Sequence, residues 1–566
     1  MILNATTLNS QLTSKMKASH RLLVSFLAGV FVSSAAGKPN ILVVLFDDLG
    51  YSDLGCYGGE IPTPAIDALA GRGLRFTHMT NSARCCPTRA SLLTGLHPAQ
   101  AGIRDFGGNL AANTATLAEV LRGAGYSTYA VGKWHVGNAP AASPVARGFD
   151  EFYGYTDGYS ADQWQPVHYQ RLPAGREPEL KDEPGKYYAT DAFTGYALEF
   201  IKQGEAKKKP WFVYLAHSSP HFPIQAPAES SRGFLDTYRK GWDVLRADRF
   251  RRIKEIGLAD HDGWQPGPRS LVPVEQKSDI ANGYSGQPNP AWESLDPARR
   301  EDLARRMSIY AAMVKHVDDG MARIVRQLKE SGSYENTLIL LLSDNGACYE
   351  WGPFGFDGVS RSGKNILHEG AALEAMGTGA EEMSYGSAWA NLCGTPFRLY
   401  KHFTHEGGIT SPFIVHWPKG IVLADRWVRD PVHVMDLMPT LVEVSGAVYP
   451  ETRAGKAVQP AEGISLAPTF RSSDALPERA ICVQHQGAFS IRKGQWKLVT
   501  GKRFPEAARW ELYDIKADPV EKNNLAASHP DRVDALGREW DEWAARTDSW
   551  RGAGAAPRKN GKKPAN

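Results

Sequence analysis

The sequence is poor in cysteine, in net charge and in long apolar runs. Its 566 residues include six cysteines and carry a formal net charge of +3. Three basic residues and no acid lie in residues 1–36, so the rest of the chain is neutral. So few cysteines exclude a disulfide-stabilised scaffold. Because the remaining charges balance, we expect no nucleic-acid partner and no polybasic membrane-binding surface.

The longest apolar run near the N-terminus covers residues 22–32, follows Lys17 and Arg21, and precedes the small residues 34–36. This order is typical of a secretory signal peptide. The run is too short for a mature membrane anchor. We therefore predict a signal peptide at residues 1–36, with Met16 as an alternative start, and an exported protein, periplasmic or secreted, without a stable membrane anchor. A short uncleaved anchor is the alternative.

Strand and helix patterns alternate through residues 37–447. A continuous apolar run at residues 40–46 is typical of a strand buried on both faces. Further strands are predicted at residues 74–80, 126–131, 211–217, 337–343 and 412–417. Helices are predicted at residues 63–72, 116–122, 191–202, 297–331 and 434–445. The alternation predicts an α/β domain, with a mostly parallel central sheet flanked by helices.

The pattern changes in residues 448–550, where a linker leads into a predicted C-terminal subdomain. Short strands at residues 480–484, 489–493, 496–500 and 511–514 and a helix at 531–546 indicate a small antiparallel sheet with one covering helix. Residues 551–566 are basic and rich in Gly, Ala and Pro, which predicts a disordered tail. Residues 158–190 and 225–300 look irregular, and we expect them to recognise the substrate.

The run Cys85-Cys86-Pro87-Thr88-Arg89 leads into a short helical segment that ends at Gly95. Proline suits the first turn of a helix, so Cys85 is expected at the helix N-terminus. The free N–H groups there favour an anion, and Arg89, one turn along, can reach back towards it. A lone cysteine is more often a buried structural residue.

Oxygen-bearing side chains follow two of the predicted strands. Asp47 and Asp48 come directly after residues 40–46, and Asp344 and Asn345 come directly after residues 337–343. Carboxylate and amide oxygens suit a hard cation such as Ca²⁺ or Mg²⁺. Each pair alone is also explained as a cap or a turn.

Three further motifs carry basic groups. They are V-G-K-W-H-V-G with Lys133 and His135, P-H-F-P with His221, and Y-K-H-F-T-H-E-G-G with Lys401. Together with the cysteine run and the acidic pairs, they resemble the type I, formylglycine-dependent sulfatases, arylsulfatase-like members of the alkaline phosphatase superfamily. The resemblance covers about residues 38–546. Thr88 stands where that family usually has Ser or Ala, and Thr410 stands where it often has Arg.

The resemblance implies a cofactor set and a reaction. A formylglycine-generating enzyme would oxidise Cys85, and the hydrated aldehyde would attack sulfur to give a covalent sulfo-enzyme. One Ca²⁺, with Mg²⁺ as the alternative, would be bound by Asp47, Asp48, Asp344 and Asn345 together with residue 85. Arg89, Lys133 and Lys401 would line the sulfate pocket. His135 would act as the base, and His221, with His217 as the alternative, would protonate the leaving alcohol.

The substrate implied by the resemblance is a sulfated saccharide or an aryl sulfate. Two alternatives remain open: a phosphonate monoester or phosphodiester hydrolase with the same site, and a non-catalytic binder of sulfated glycans. Tyr159, Trp164 and Arg104 are candidates for a sugar-binding subsite, because aromatic faces can stack on sugar rings. The alternative is that they are exposed loop residues or part of a local core. A disulfide between Cys348 and Cys393 is also left open.

Overall fold

The computed structural model describes residues 37–159, 162–173, 185–273, 280–360, 364–379, 381–500 and 510–549. The predicted signal peptide and the predicted basic tail lie outside these residues. Across the described ranges, no helix combines the length and the apolar character that a membrane crossing needs.

A ten-stranded sheet forms the centre of the large domain within the described residues. Its strands are β1 (Asn40–Asp47), β2 (Leu74–Thr80), β3 (Ser127–Lys133), β4 (Glu151–Tyr155), β5 (Gln170–Leu172), β6 (Trp211–Pro220), β7 (Thr337–Ser343), β8 (Thr410–His416), β9 (Arg426–Val428) and β10 (Val432–His433). The order is β10-β2-β8-β7-β1-β6-β3-β4-β5, with β9 beside β2. Only β8 and β5 run antiparallel to their neighbours. The predicted mostly parallel sheet is confirmed.

Helices cover both faces of this sheet. The described α-helices of this domain are α1 (Pro64–Ala70), α2 (Cys85–Thr94), α3 (Leu117–Gly123), α4 (Ala189–Ala206), α5 (Ala228–Arg232), α6 (Leu235–Tyr238), α7 (Gly241–Glu255), α8 (Pro297–Glu330), α9 (Gly370–Ala375), α10 (Gly386–Cys393), α11 (Glu406–Ile409) and α12 (Leu437–Ser445). Alternate residues of β1 belong to two different apolar cores. Leu42, Val44 and Phe46 face one, and Ile41, Val43 and Leu45 face the other. This two-sided burial explains the continuous apolar run.

The expectation of an irregular substrate-binding segment at residues 225–300 was wrong in part. Helices α5, α6 and α7 lie within it. Trp242 of α7 is 3% exposed and packs edge to face on Trp292 and Trp389. The helical spacing of apolar residues in α7 was not recognised because Arg249 lies within the apolar stripe, where it pairs with Asp53 and Glu60. These tryptophans form core rather than a sugar-binding surface.

The C-terminal part of the chain has the predicted antiparallel sheet. After a short hairpin of β11 (Thr452–Arg453) and β12 (Lys456–Ala457), the strands β13 (Ala480–His485), β14 (Ala488–Lys493), β15 (Trp496–Thr500) and β16 (Glu511–Asp514) pair in sequence order. Helix α13 (Pro530–Thr547) covers the sheet and buries Leu536 and Trp540 against it.

A buried ion cluster joins this small sheet to the large domain. The Lys497 ammonium on β15 donates to Glu406 at 2.6 Å and lies 2.8 Å from Glu521. Glu406 begins α11, and its backbone N–H donates to Glu521 at 2.8 Å. The Thr410 hydroxyl also donates to the Glu406 carboxylate. Burial alone would raise the pKa of Glu406, but Lys497 and Arg492 hold it down at about 2.

We predict that Lys497→Met destabilises the protein by about 3–5 kcal/mol, because two buried carboxylates lose their cation. The apparent free energy of unfolding from a urea titration measures this change. Lys493→Met is the matched control. The Lys493 side chain is 46% exposed and pairs with Glu539, so we expect its replacement to change the free energy of unfolding by less than about 1 kcal/mol. Equal effects of the two substitutions would contradict the assigned role of the cluster.

Candidate active site

The predicted site residues come together because several chain segments end at one edge of the sheet. Strands β1 and β7 are parallel and in register up to Phe46 and Ser343, so the acidic pairs that follow them are neighbours. Lys133 is the last residue of β3, and Cys85 is the first residue of α2. All ten predicted side chains are buried: Asp47, Asp48, Cys85, Arg89, Lys133, His135, His221, Asp344, Asn345 and Lys401.

The carboxylates of this cluster are each held by a basic side chain. Lys133 donates to Asp47 at 2.6 Å, and Arg89 donates to Asp344 through two nitrogens at 2.7 and 3.0 Å. Lys401 donates to Asp48 at 2.9 Å. Arg89 Nη1 also donates to the Lys133 carbonyl at 2.9 Å, which fixes the guanidinium relative to β3.

Two oxygens of the cluster have no hydrogen-bond donor. They are Asp47 Oδ1 and Asn345 Oδ1, both fully buried. Asp47, Cys85 and Asp344 bring their ligand atoms within 4.8 Å of one another. Burial raises the pKa of Asp47, and burial with the Asp47 charge raises that of Asp344 well above its usual value. Crowded carboxylates with orphan oxygens fit a hard divalent cation, which would hold them ionised.

Cys85 is set apart from the other cysteines by its surroundings. Its Sγ lies 3.4 Å from His135 Nδ1. A hydrogen bond from Cys86, together with Lys133 and His135, outweighs burial and lowers the pKa of Cys85 well below its usual value. Burial raises the pKa of the other five thiols, those of Cys56, Cys86, Cys348, Cys393 and Cys482. The disulfide left open between Cys348 and Cys393 does not form, since both are free thiols.

The two predicted histidines contact different members of the cluster: His135 contacts Cys85, and His221 contacts Lys401 and Asp48. Burial lowers the pKa of both His135 and His221 to about 4, so both imidazoles are neutral near pH 7. His221 Nδ1 contacts the Phe222 carbonyl at 2.5 Å, so Nδ1 carries the proton. Its Nε2 faces Lys401 at 3.3 Å and Asp48 at 3.4 Å. His217, the alternative histidine, packs against Phe193 instead.

Sequence reasoning missed a group of residues behind Lys401. The Glu350 carboxylate lies 3.7 Å from the Lys401 ammonium and 2.7 Å from His402 Nε2. His402 Nδ1 lies 3.0 Å from His485 Nε2 at the end of β13. The only local signal was the histidine directly after Lys401. These contacts place His485 of the C-terminal sheet one hydrogen bond from His402, in the loop that carries Lys401.

The three candidate subsite residues have different surroundings. The Tyr159 ring is 38% exposed and lies 6.3 Å from the His221 ring, beside the cluster. Trp164 packs on Tyr188 at 5.0 Å, and Arg104 pairs with Asp548 at 2.6 Å. Phe106, which the sequence did not single out, is 57% exposed with its ring 5.5 Å from that of His135. Tyr159 and Phe106 therefore lie against the two histidines.

We predict that the protein, after treatment with a chelator, binds one Ca²⁺ per chain, and more tightly than Mg²⁺. Asn345→Ala should weaken Ca²⁺ binding by about 10–100-fold, because an oxygen ligand is lost while the charge of the site stays the same. Isothermal titration calorimetry measures both affinities.

Asn523→Ala serves as the control, since Asn523 is exposed and its replacement should leave the affinity unchanged. A wild-type protein that shows no Ca²⁺ binding, or an Asn345→Ala variant with unchanged affinity, would contradict this assignment of the cation site.

Comparison with known proteins identifies the family. Residues 39–447 match the Sulfatase family, and residues 397–536 match the family described as N-sulphoglucosamine sulphohydrolase, C-terminal. An arylsulfatase of Klebsiella aerogenes is 30% identical, over 80% of this chain and 96% of that protein. An N-acetylgalactosamine-6-sulfatase of Sus scrofa is 28% identical, over 82% of this chain and 71% of that protein.

Among solved structures, Ps i-CgsB in complex with k-i-k-neocarrahexaose is similar at a TM-score of 0.61. It is 26% identical, and the match covers 91% of this chain and 93% of that one. The fold, the buried cluster at the strand ends and the match over most of the chain lead to one assignment. The chain belongs to the sulfatase family of the alkaline phosphatase superfamily and is a sulfuric ester hydrolase.

Proposed function

We propose that the protein removes sulfate from a sulfated saccharide, with formylglycine made from Cys85 as its nucleophile and one Ca²⁺ as its cofactor. The observation that carries the proposal is the position of the Cys85 thiol. It begins α2, lies 3.4 Å from His135 and shares a 4.8 Å cluster with Asp47 and Asp344. The saccharide is supported by the relatives, one named for N-acetylgalactosamine 6-sulfate and one bound to a neocarrahexaose.

In the proposed cofactor site, Asp47, Asp48, Asp344 and Asn345 hold the cation together with residue 85. When bound, Ca²⁺ supplies positive charge that polarises a sulfate oxygen. Lys133 and Lys401 lie on either side of the acidic pair and add preorganised positive charge for the transition state. Arg89 holds Asp344 and the end of β3, so it orients the groups that line the pocket.

In the proposed reaction, one hydroxyl of the hydrated aldehyde at residue 85 attacks sulfur while the bond from sulfur to the leaving alcohol breaks. The proton of the attacking hydroxyl passes to Asp47, whose Oδ1 lies in the same cluster and accepts no hydrogen bond from a described residue. His221 protonates that alcohol. Its pKa of about 4 in the free protein rises when an anionic sulfate approaches, so it can carry the proton. Neutral His135 then removes the proton of the second hydroxyl. The bond from carbon to the sulfate oxygen breaks, which releases sulfate and restores the aldehyde.

We also propose that residues 1–36 direct export, and that a formylglycine-generating enzyme matures Cys85. We assign residues 37–447 to the catalytic domain and residues 448–550 to the linker and the C-terminal subdomain. The Sulfatase match, which covers residues 39–447, supports the bounds of the catalytic domain.

We predict that Cys85→Ser gives at most one turnover per enzyme, because an ordinary serine lacks the second hydroxyl that expels sulfate. A burst assay with nitrophenyl sulfate, followed by mass analysis of the peptide that carries position 85, should find sulfate bound there. Cys482→Ser, which replaces a remote buried thiol, should turn over at the wild-type rate. Sustained turnover by Cys85→Ser would contradict the mechanism.

Two measurements on the wild-type protein test the alternatives. Conversion of Cys85 lowers the mass of its peptide by about 18 Da, and an unconverted, inactive protein would favour the non-catalytic glycan binder. Rates on nitrophenyl sulfate and on a phenylphosphonate monoester are then compared under one condition. We expect the sulfate to react faster, and a faster phosphonate reaction would overturn the proposed substrate class.

A further inference from the structure

Arg84 lies directly before Cys85 and has no assigned role in the reaction. It is the N-cap residue of α2, with φ −159° and ψ 156°, and its side chain does not cap the helix. The residue is 8% exposed. Its guanidinium lies 4.0 Å from the centre of the exposed Phe106 ring, which in turn lies 5.5 Å from His135. The Phe106 ring therefore contacts both Arg84 and His135, the predicted catalytic histidine.

The guanidinium of Arg84 lacks the carboxylate partner that several other buried arginines have. Its Nε is buried without a hydrogen-bond acceptor, and its charge forms no ion pair among the described residues. In contrast, Arg89, Arg249 and Arg306 each hold a carboxylate within 2.8 Å. A buried charge without a counterion is unfavourable. Stacking on one aromatic ring offsets only part of that cost.

Two acids in this region, Glu350 and Asp105, are bound to other groups. Glu350 is close enough for Arg84 to help lower its pKa, but it is bound to His402 at 2.7 Å and faces Lys401 at 3.7 Å. Asp105, next to Phe106, accepts the Gln486 backbone N–H at 2.6 Å and the Gln484 amide at 3.3 Å. The end of the C-terminal sheet thus holds the Phe106 loop in place and binds one oxygen of the Asp105 carboxylate.

We propose that Arg84 and the Phe106 ring form a second anion subsite, which binds a carboxylate or a further sulfate on the saccharide whose sulfate is removed. This inference rests on the proposed function. A guanidinium binds either group through two parallel hydrogen bonds, and the exposed ring supplies an apolar face for the adjoining sugar. In the proposed reaction the scissile sulfate meets Lys133 and Lys401, which contact Asp47 and Asp48. The second anion would instead meet Arg84.

The test compares Arg84→Gln with the wild type on matched disaccharides. One pair carries one or two sulfates, and a second pair carries one sulfate with either a uronic acid or its methyl ester. We expect kcat/KM to fall by about 10–100-fold on at least one of the doubly charged substrates, and by less than about twofold on the singly charged ones. Which pair responds tells whether the subsite takes sulfate or carboxylate.

Arg84 neighbours the modified residue, so rates are divided by the fraction of converted residue 85, measured by mass. A binding assay does not require conversion of residue 85. The Kd of the doubly charged disaccharide is measured for Cys85→Ala and for the double variant Cys85→Ala with Arg84→Gln. We expect the double variant to bind more weakly, by a factor similar to the loss in kcat/KM. Arg232→Gln is the control, since Arg232 is an exposed arginine that pairs with Glu374, and it should change neither quantity.

Equal losses on singly and doubly charged substrates, or an unchanged Kd, would overturn the subsite. Failure of the proposed function has a different signature. If the wild type releases no sulfate from any disaccharide, hydrolysis of sulfated saccharides is wrong, while the Kd comparison still decides whether Arg84 binds the second anion.

Discussion

The structure depends on a balance of charge at the carboxyl ends of β1 and β7. Asp47, Asp48 and Asp344 are fully buried there, and each is bound to a lysine or an arginine from another segment. The basic side chains do not fully compensate for the burial of these acids, because burial still raises the pKa of Asp47 and Asp344. A bound cation would complete the balance of charge. The same basic side chains that hold the acids are those that an incoming sulfate would meet.

The C-terminal sheet takes part in this arrangement although it lies far along the chain. The loop that carries Lys401 is held at one end through His402 and His485, and at the other through Glu406 and Lys497. The same sheet fixes Asp105 beside Phe106. The small sheet therefore supports two walls of the proposed pocket, and a disturbance of it should reach the site. In this fold a subdomain that carries none of the proposed catalytic groups still positions them.

Much of the site could be predicted because its residues lie at the ends of strands and helices that the sequence pattern identifies clearly. Asp47 and Asp344 follow continuous apolar runs, and the runs became β1 and β7 because both faces of the sheet are covered. Helix α7 was missed because Arg249 interrupts its apolar stripe. Glu350, His485 and Phe106 were missed for another reason. Their neighbours are tens to hundreds of residues away, and nothing local in the sequence encodes those contacts.

The central claim is that one divalent cation lies among Asp47, Asp48, Asp344 and Asn345, against a modified residue 85. A crystal structure of the matured, active protein grown with calcium tests it most directly. The claim predicts a single cation peak bound by these four side chains, with an aldehyde or its hydrate in place of the Cys85 thiol. Two results would contradict it. One is an active protein whose crystals show an intact Cys85 thiol. The other is a cation bound elsewhere while Lys133 and Arg89 remain paired with their carboxylates.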